Sequence, residues 1–414
     1  MLQARRSRPA AMRFIMVAVL IDMIAIGIIV PVLPPLLGRF TPDPAEHALW
    51  FGVLAFCFSL SNFVGAPILG ALSDRFGRRP VLLLGFCGLG FNFFAMPNAP
   101  TLWSLILVRM VGGALQANIA VANAYVADIT APEDRARRFG LLGAMFGIGF
   151  MLGPVLGGVL GAIDLRLPFY LAGACALLNL VYGFFVLPES LPESRRRQVS
   201  LRETNPLAAL RRLRRLHGIG PLLWVIALSN LATFVMYTTW VLYTDYRFGW
   251  DTAANGWSLF LMGAVSTVVQ GFLLARLIKR FGARKLAMMG LLSSAFGYLG
   301  WGLATQGWMM NAVIAMNLLA WTVTASVQSL VSNAADARTQ GDTLGAVSSL
   351  TSLMAVLGPV LGAPLMASVS DLPVTDWRVG APMFFCGLLQ LAAMTAALLY
   401  FRRFTPRENP RRDA

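Results

Sequence analysis

Twelve apolar runs, each about as long as one bilayer crossing, dominate this sequence and leave it few ways to fold. They lie at about 12–37, 47–71, 80–98, 101–127, 138–162, 167–187, 218–244, 254–278, 285–304, 308–332, 343–369 and 380–401. A helix needs roughly 20 mostly apolar residues to cross a bilayer. Membrane barrels would instead show ~10-residue alternating segments, and the runs do not alternate. Only 13% of the 414 residues are charged and 57% are hydrophobic, against about a quarter charged in a soluble chain. The pattern predicts an all-α membrane protein with 12 transmembrane helices, called spans 1 to 12 below.

The basic residues orient those spans. Of 34 Lys and Arg, 29 fall at the two chain ends or in every second connection. Four (Arg39, Arg166, Arg247 and Arg378) fall on the opposite side, and Arg109 lies inside span 4. Such asymmetry is the positive-inside signal. It predicts a multi-pass protein of the cell inner (plasma) membrane with both termini cytoplasmic. A net charge of +15 also raises the question of nucleic acid, but that partner requires one folded basic face rather than alternating loops. The basic N-terminus runs into an apolar stretch too long for a cleaved leader and followed by further spans, so it reads as an uncleaved first helix. Cys57, Cys87, Cys175 and Cys386 all sit in apolar runs without metal-like spacing. They read as packing residues, and neither a metal nor a cofactor is expected.

The longest polar stretch, 188–217, contains PESLPESRRR and LRETNPLAALRRLRRL. The second of these reads as an amphipathic surface helix. It divides the chain into six-span bundles at 1–187 and 218–414. These are repeats: ALSDRFGRRPVLLLG at 71–85 aligns without gaps to RLIKRFGARKLAMMG at 276–290, with six identities. The same offset of 205 superposes LGPVLG at 152–157 on LGPVLG at 357–362. Internal membrane repeats place a site near the midplane between them.

Three motifs then carry a resemblance. The loop from Gly70 through Pro80 (GALSDRFGRRP) resembles the loop between spans 2 and 3 of the major facilitator superfamily. Gly149, Gly153, Pro154, Gly157 and Gly158 resemble that superfamily's antiporter-type span-5 motif. Arg109 followed by Gly113 is similar to its span-4 arginine motif. The segments DMIAIGIIVPVLP (22–34), 73–84, 139–158 and WVLYTDYRFGW (240–250) resemble the tetracycline/proton branch of the 12-span drug:proton antiporters. The resemblance implies two pseudo-symmetric bundles and secondary transport, with Arg109 taking part in coupling.

Asp22 is the one acid among nineteen that lies well inside a span. An ionised carboxylate there costs about 2.5–3.5 kcal/mol on insertion scales. Protonation, a cationic partner or a wet cavity would each remove that cost. Asp22 therefore reads either as a proton carrier or as a structural acid tied to another helix. At 1.5 Å per residue, it lies roughly 15 Å from the inner end of span 1. Arg109 lies about 18 Å from the same side in a ~30 Å core, and Asn92 at a similar level. A polar layer of Asp22, Arg109 and Asn92 is expected. Gly113 and Gln116 continue the Arg109 face at helical spacing, as a cavity wall or a close-packed stripe.

The 70–79 loop reads as a cytoplasmic gate. Gly70 and Gly77 allow a close approach and a tight turn, and Asp74 lies among Arg75, Arg78 and Arg79; Asp128 and Arg135 at the end of span 4 complete the group. The repeat carries Lys279 in place of Asp74, so the two loops are not equivalent. Span-5 glycines at three- and four-residue spacing allow close helix approach, and Pro154 removes a helix hydrogen bond. Asn92, Gln116, Asn230, Tyr237, Trp240, Gln270, Asn317, Trp321 and Gln328 are candidate cavity residues, each equally able to serve packing or the interface.

The tetracycline branch carries an acid where this chain has Asn92, a histidine at Ser266 and an acid at Ser293, whereas Gln270 matches. The negative charge that would receive a cationic metal–tetracycline chelate is thus missing. The expected activity is proton-coupled export of a small amphiphilic organic compound by a protein functioning as a monomer among membrane lipids. Import or facilitated passage of a metabolite is the alternative. An enzyme would need a nucleophile–base or metal constellation, and the two histidines, His47 and His217, fall in loops far apart along the chain.

Overall fold

A computed structural model describes residues 2–116, 118–131, 134–196, 220–334 and 340–403. Among these residues all regular structure is helical, and ten segments are long and apolar enough to cross a membrane. One of the ten, Thr252–Leu303, has 52 residues, roughly 78 Å of helix for a ~30 Å core. It turns back at Gly282, whose φ of 75° lies in the left-handed region that glycine adopts without strain. A further pair, Gly307–Met316 and Leu318–Val331, is bent by 54° and passes the same test only when taken together as one broken span. The architecture accords with twelve crossings. The amphipathic stretch expected within 188–217 lies outside the described residues from 197 onward.

Local chemistry sets the helix ends. Opposite the basic side, Asp43 accepts from the Glu46 backbone N–H at 2.8 Å to start span 2 (Pro44–Phe76). Asp251 accepts from that of Ala254 at 2.7 Å to start span 8. Thr101 and Ser104 cap span 4 reciprocally. Each satisfies amide groups that a helix start leaves free. On the basic side Gly77, with φ 107°, makes the turn between spans 2 and 3.

The repeat governs packing. Span 1 (Leu2–Ile29) packs on span 5 (Arg135–Ile163) as span 7 (Gly220–Phe248) packs on span 11 (Gln340–Ala367). Span 3 (Arg78–Ala95) packs on span 6 (Leu167–Val186) as span 9 packs on span 12 (Ala381–Arg403). Two seams join the first six spans to the last six: span 5 against span 8, and span 2 against span 11. Both are tight away from the basic side. The Thr252 hydroxyl donates to the Gly158 carbonyl at 3.0 Å, and Gly52 lies directly against Ala363. Toward the basic side, Gly70, Gly140, Gly143, Gly271 and Gly345 have only open space where a Cβ would stand. Among the described residues the two sets of spans meet on one face and part on the basic one.

Candidate functional site

Between the two sets of spans lies a cavity of about 260 Å³. Its walls come from spans 1 to 5, 7 and 11, and most are apolar: Ile26, Phe51, Phe93, Phe150 and Phe234 are among them. Ser59, Asn92, Arg109, Gln116, Tyr237 and Thr238 supply the polar groups. A few polar groups in an apolar cleft can orient an organic ligand. The guanidinium of Arg109 lies 3.8 Å from the centre of the Phe58 ring, close enough for a cation–π contact. Its Nε and the Oδ1 of Asn92 are buried without hydrogen-bond partners.

Span 4 breaks at Gln116, whose ψ of 83° ends the helix Leu102–Leu115 before Asn118–Ile129 begins. The break frees carbonyl groups that must be paired away from water. Asn62 of span 2 donates to the Gly113 and Gln116 carbonyls at 3.3 and 2.5 Å. Gly113, Gln116 and the residues after them therefore do not continue as one straight stripe. The break also delivers Asn118 to Asp22: its amide donates to Oδ1 and Oδ2 at 3.3 and 3.2 Å.

The expected polar layer thus divides. Arg109 and Asn92 share the cavity, while Asp22, 2% exposed, faces Asn118 in a separate void of about 10 Å³. That void is near the lower limit for one water. Depth along the spans places all three at one level, but the break in span 4 turns its two segments toward different neighbours.

The other candidates scatter. Tyr237 joins the cavity. Trp240 is buried within the last six spans, donating to Ser258 Oγ at 3.1 Å and meeting the Trp301 ring at 4.9 Å. Asn230 bonds back to its own helix at the Ile226 carbonyl, 2.9 Å away. Asn317, at the break in span 10, accepts from Ser293. Gln270 lies on a π-helical turn, Val269–Leu273, and donates to Ser266 at 2.7 Å. Trp321 packs against the core and Gln328 is exposed. None of these six lines the cavity in this conformation.

At the basic end, Arg78 is the hub. It reaches Asp74 at 2.6 Å, Asp128 at 3.1 Å and Ser73 Oγ at 2.6 Å. The Arg79 guanidinium donates to the Phe184 carbonyl at 2.6 Å, and Arg135 donates to the Ala127 carbonyl at 3.3 Å. Arg75 lies over Phe76, and Gly70 accepts from Ser73. Sequence reading overlooked Glu189. Its carboxylate accepts from the Arg78 and Arg79 amides at 2.8 and 3.1 Å, capping the positive start of span 3. A Cβ at Gly77 would collide with it. The acid following Pro188 at the end of an apolar run was its only signal. Among the described residues every partner in this network belongs to residues 70–191, so here the loop braces the first six spans internally.

The span-5 motif is a packing surface. A Cβ at Gly149 would stand 2.6 Å from Met23 Cβ, and one at Gly153 would stand 2.6 Å from the Ile24 carbonyl. Gly157 meets the Ile28 carbonyl, Pro154 lies against Gly27, and Gly158 faces span 8. The model of the Major Facilitator Superfamily matches residues 15–359. The chain belongs to this superfamily. It is a multi-pass transporter rather than an enzyme, in the tetracycline branch of the drug:proton antiporters. It is 38% identical over 375 residues to the class C tetracycline resistance protein of Escherichia coli, covering 90% of this chain and 94% of that protein. It is 26% identical to multidrug resistance protein 2 of Bacillus subtilis, covering 92% and 93%. The solved nucleoside transporter NupG shares the fold with a TM-score of 0.75 at 12% identity, over 95% of this chain and 99% of that one.

Proposed function

We propose that this transporter is a proton-coupled antiporter that exports a small amphiphilic organic compound by alternating access. The observation that carries the reading is Asp22, a carboxylate shut inside a span with one amide as its hydrogen-bond partner among the described residues. Ionised, such a group is expensive in the membrane, and taking up a proton removes the cost. Asp22 loads from one side and releases to the other as the bundles, 1–187 and 218–414, rock about the cavity. Arg109 responds to substrate in the cavity, and the break at Gln116 links that response to Asn118 and Asp22. Arg78 with Asp74 and Asp128 latches the basic side when it closes. That side is cytoplasmic, in the inner membrane, with linker 188–217 joining the bundles of a functional monomer. Identity to tetracycline resistance proteins supports a drug-like cargo.

The test uses everted membrane vesicles with an acid interior and a pH dye. A transported compound added outside discharges the gradient in wild type. Asp22→Asn is expected to bind the compound and discharge nothing. Undiminished proton release by this variant sinks the assignment.

A further inference from the structure

We infer that the cavity selects an aromatic amphiphile bearing an acidic group, a carboxylate or phenolate, over a cationic one. For transport this rests on the export reading above; for binding it rests on the cavity alone. Among the described lining residues, Arg109 is the one charged side chain. No carboxylate offsets it there, because Asp22 lies in the separate void with Asn118. The positions that would make the site acidic are neutral: Asn92 lines the cavity, and Ser293 is engaged with Asn317.

Phe58 covers one face of the Arg109 guanidinium; the side chain lines the cavity, and its buried Nε has no hydrogen-bond partner among the described residues. A guanidinium edge presents paired N–H groups matched to a carboxylate. Asn92, 1% exposed with its unpartnered Oδ1 against Gly112, adds a neutral amide to the same lining. Phe51, Phe93, Phe150 and Phe234 supply ring surface around it. In so apolar a space, an unpaired cation attracts an anion and repels a second cation far more strongly than in water. An anion leaving as a proton enters also moves charge in one electrical sense, so the membrane potential drives both.

Three probes of one shape test this: 2-naphthoate, 2-naphthamide and (2-naphthylmethyl)trimethylammonium, bound to the purified full chain and followed by naphthyl fluorescence in equilibrium dialysis. Naphthoate is expected to bind at least about tenfold more tightly than the amide, with the cation weakest. Arg109→Gln should bring acid and amide level, and Asn92→Asp should turn the preference toward the cation. Should Arg109→Gln not fold, as judged by thermal melting, Asn92→Asp decides. The inference is overturned by an amide or cation that binds as well as naphthoate in wild type, by no naphthoate saturation at millimolar concentration, or by an undiminished naphthoate preference in the folded variant. The vesicle assay separates the two readings. Proton release by the amide or the cation but not by naphthoate keeps coupled export and removes the charge assignment. Selective naphthoate binding with no proton release by any probe does the opposite.

Discussion

Residues 205 apart occupy equivalent places in the first and last six spans, yet the two sets differ where chemistry is concerned. Asp22 and Asn118 become Ala227 and Val323, and Arg109 becomes Ile314, all three replacements buried and apolar. The packing beneath them is retained in altered form. Asn92 of span 3 rests on Gly112 of span 4, whereas at the same two positions Gly297 of span 9 rests against Asn317 of span 10. The amide has changed helices while the glycine that makes room for it has moved the other way. Arg79 holds the carbonyl and ring of Phe184, and Arg284 holds those of Phe401. One frame has been built twice, and the acid buried in span 1 and the cation lining the cavity stand in one copy.

The largest effect should come from erasing that difference. Asn118→Val copies Val323 and leaves Asp22 without its donor. A hydrogen bond to a charged group is worth about 1.5–3 kcal/mol, so melting should fall and substrate-driven proton release should drop to background. Val323→Asn should leave proton release near wild type. Wild-type proton release in Asn118→Val would mean that the polar pair is not the working difference.

Next come the glycine seams. Gly157→Ala drives a methyl into the Ile28 carbonyl, while at the equivalent Gly362 the nearest atom, Thr239 Cγ2, stands 3.2 Å away. Overpacking costs about 1–3 kcal/mol at the first position and under ~1 kcal/mol at the second, read as unequal melting losses in detergent. Equal losses would show the two seams to be equally tight. The smallest effect is expected for Arg79→Lys and Arg284→Lys, which keep charge but lose the planar donor. Both should lower melting by less than about 2 °C, and by the same amount. A shift in one alone would show that the anchors have diverged as the core has.

Much of this was legible in the residues. Apolar runs, the 205-residue offset and the lone acid of span 1 are long-range statistical signals that survive errors of a few residues. The partner of Asp22 was not legible. Depth arithmetic treats span 4 as one straight rod, but Gln116 interrupts it, and a single non-helical residue redirects every side chain that follows. Nor could composition tell that Asn62 would be needed to pair the carbonyls so freed. Trp240 and Tyr237 are three residues apart on one helix, yet only Tyr237 reaches the cavity. Hydropathy cannot distinguish an aromatic facing ligand from one facing a neighbouring tryptophan. Glu189 lay in a stretch that read as linker because its role depends on where the chain returns in space.

The seam of Gly158 with Thr252 and Gly256, and of Gly52 with Ala363, is made largely of main chain. Main chain has no rotamers with which to yield gradually. Such a closure behaves like a zipper, either in register or apart, with few half-open states between. For a protein that must never offer its cavity to both sides at once, this supplies insulation: protons and ions meet a dry barrier until the whole seam lets go.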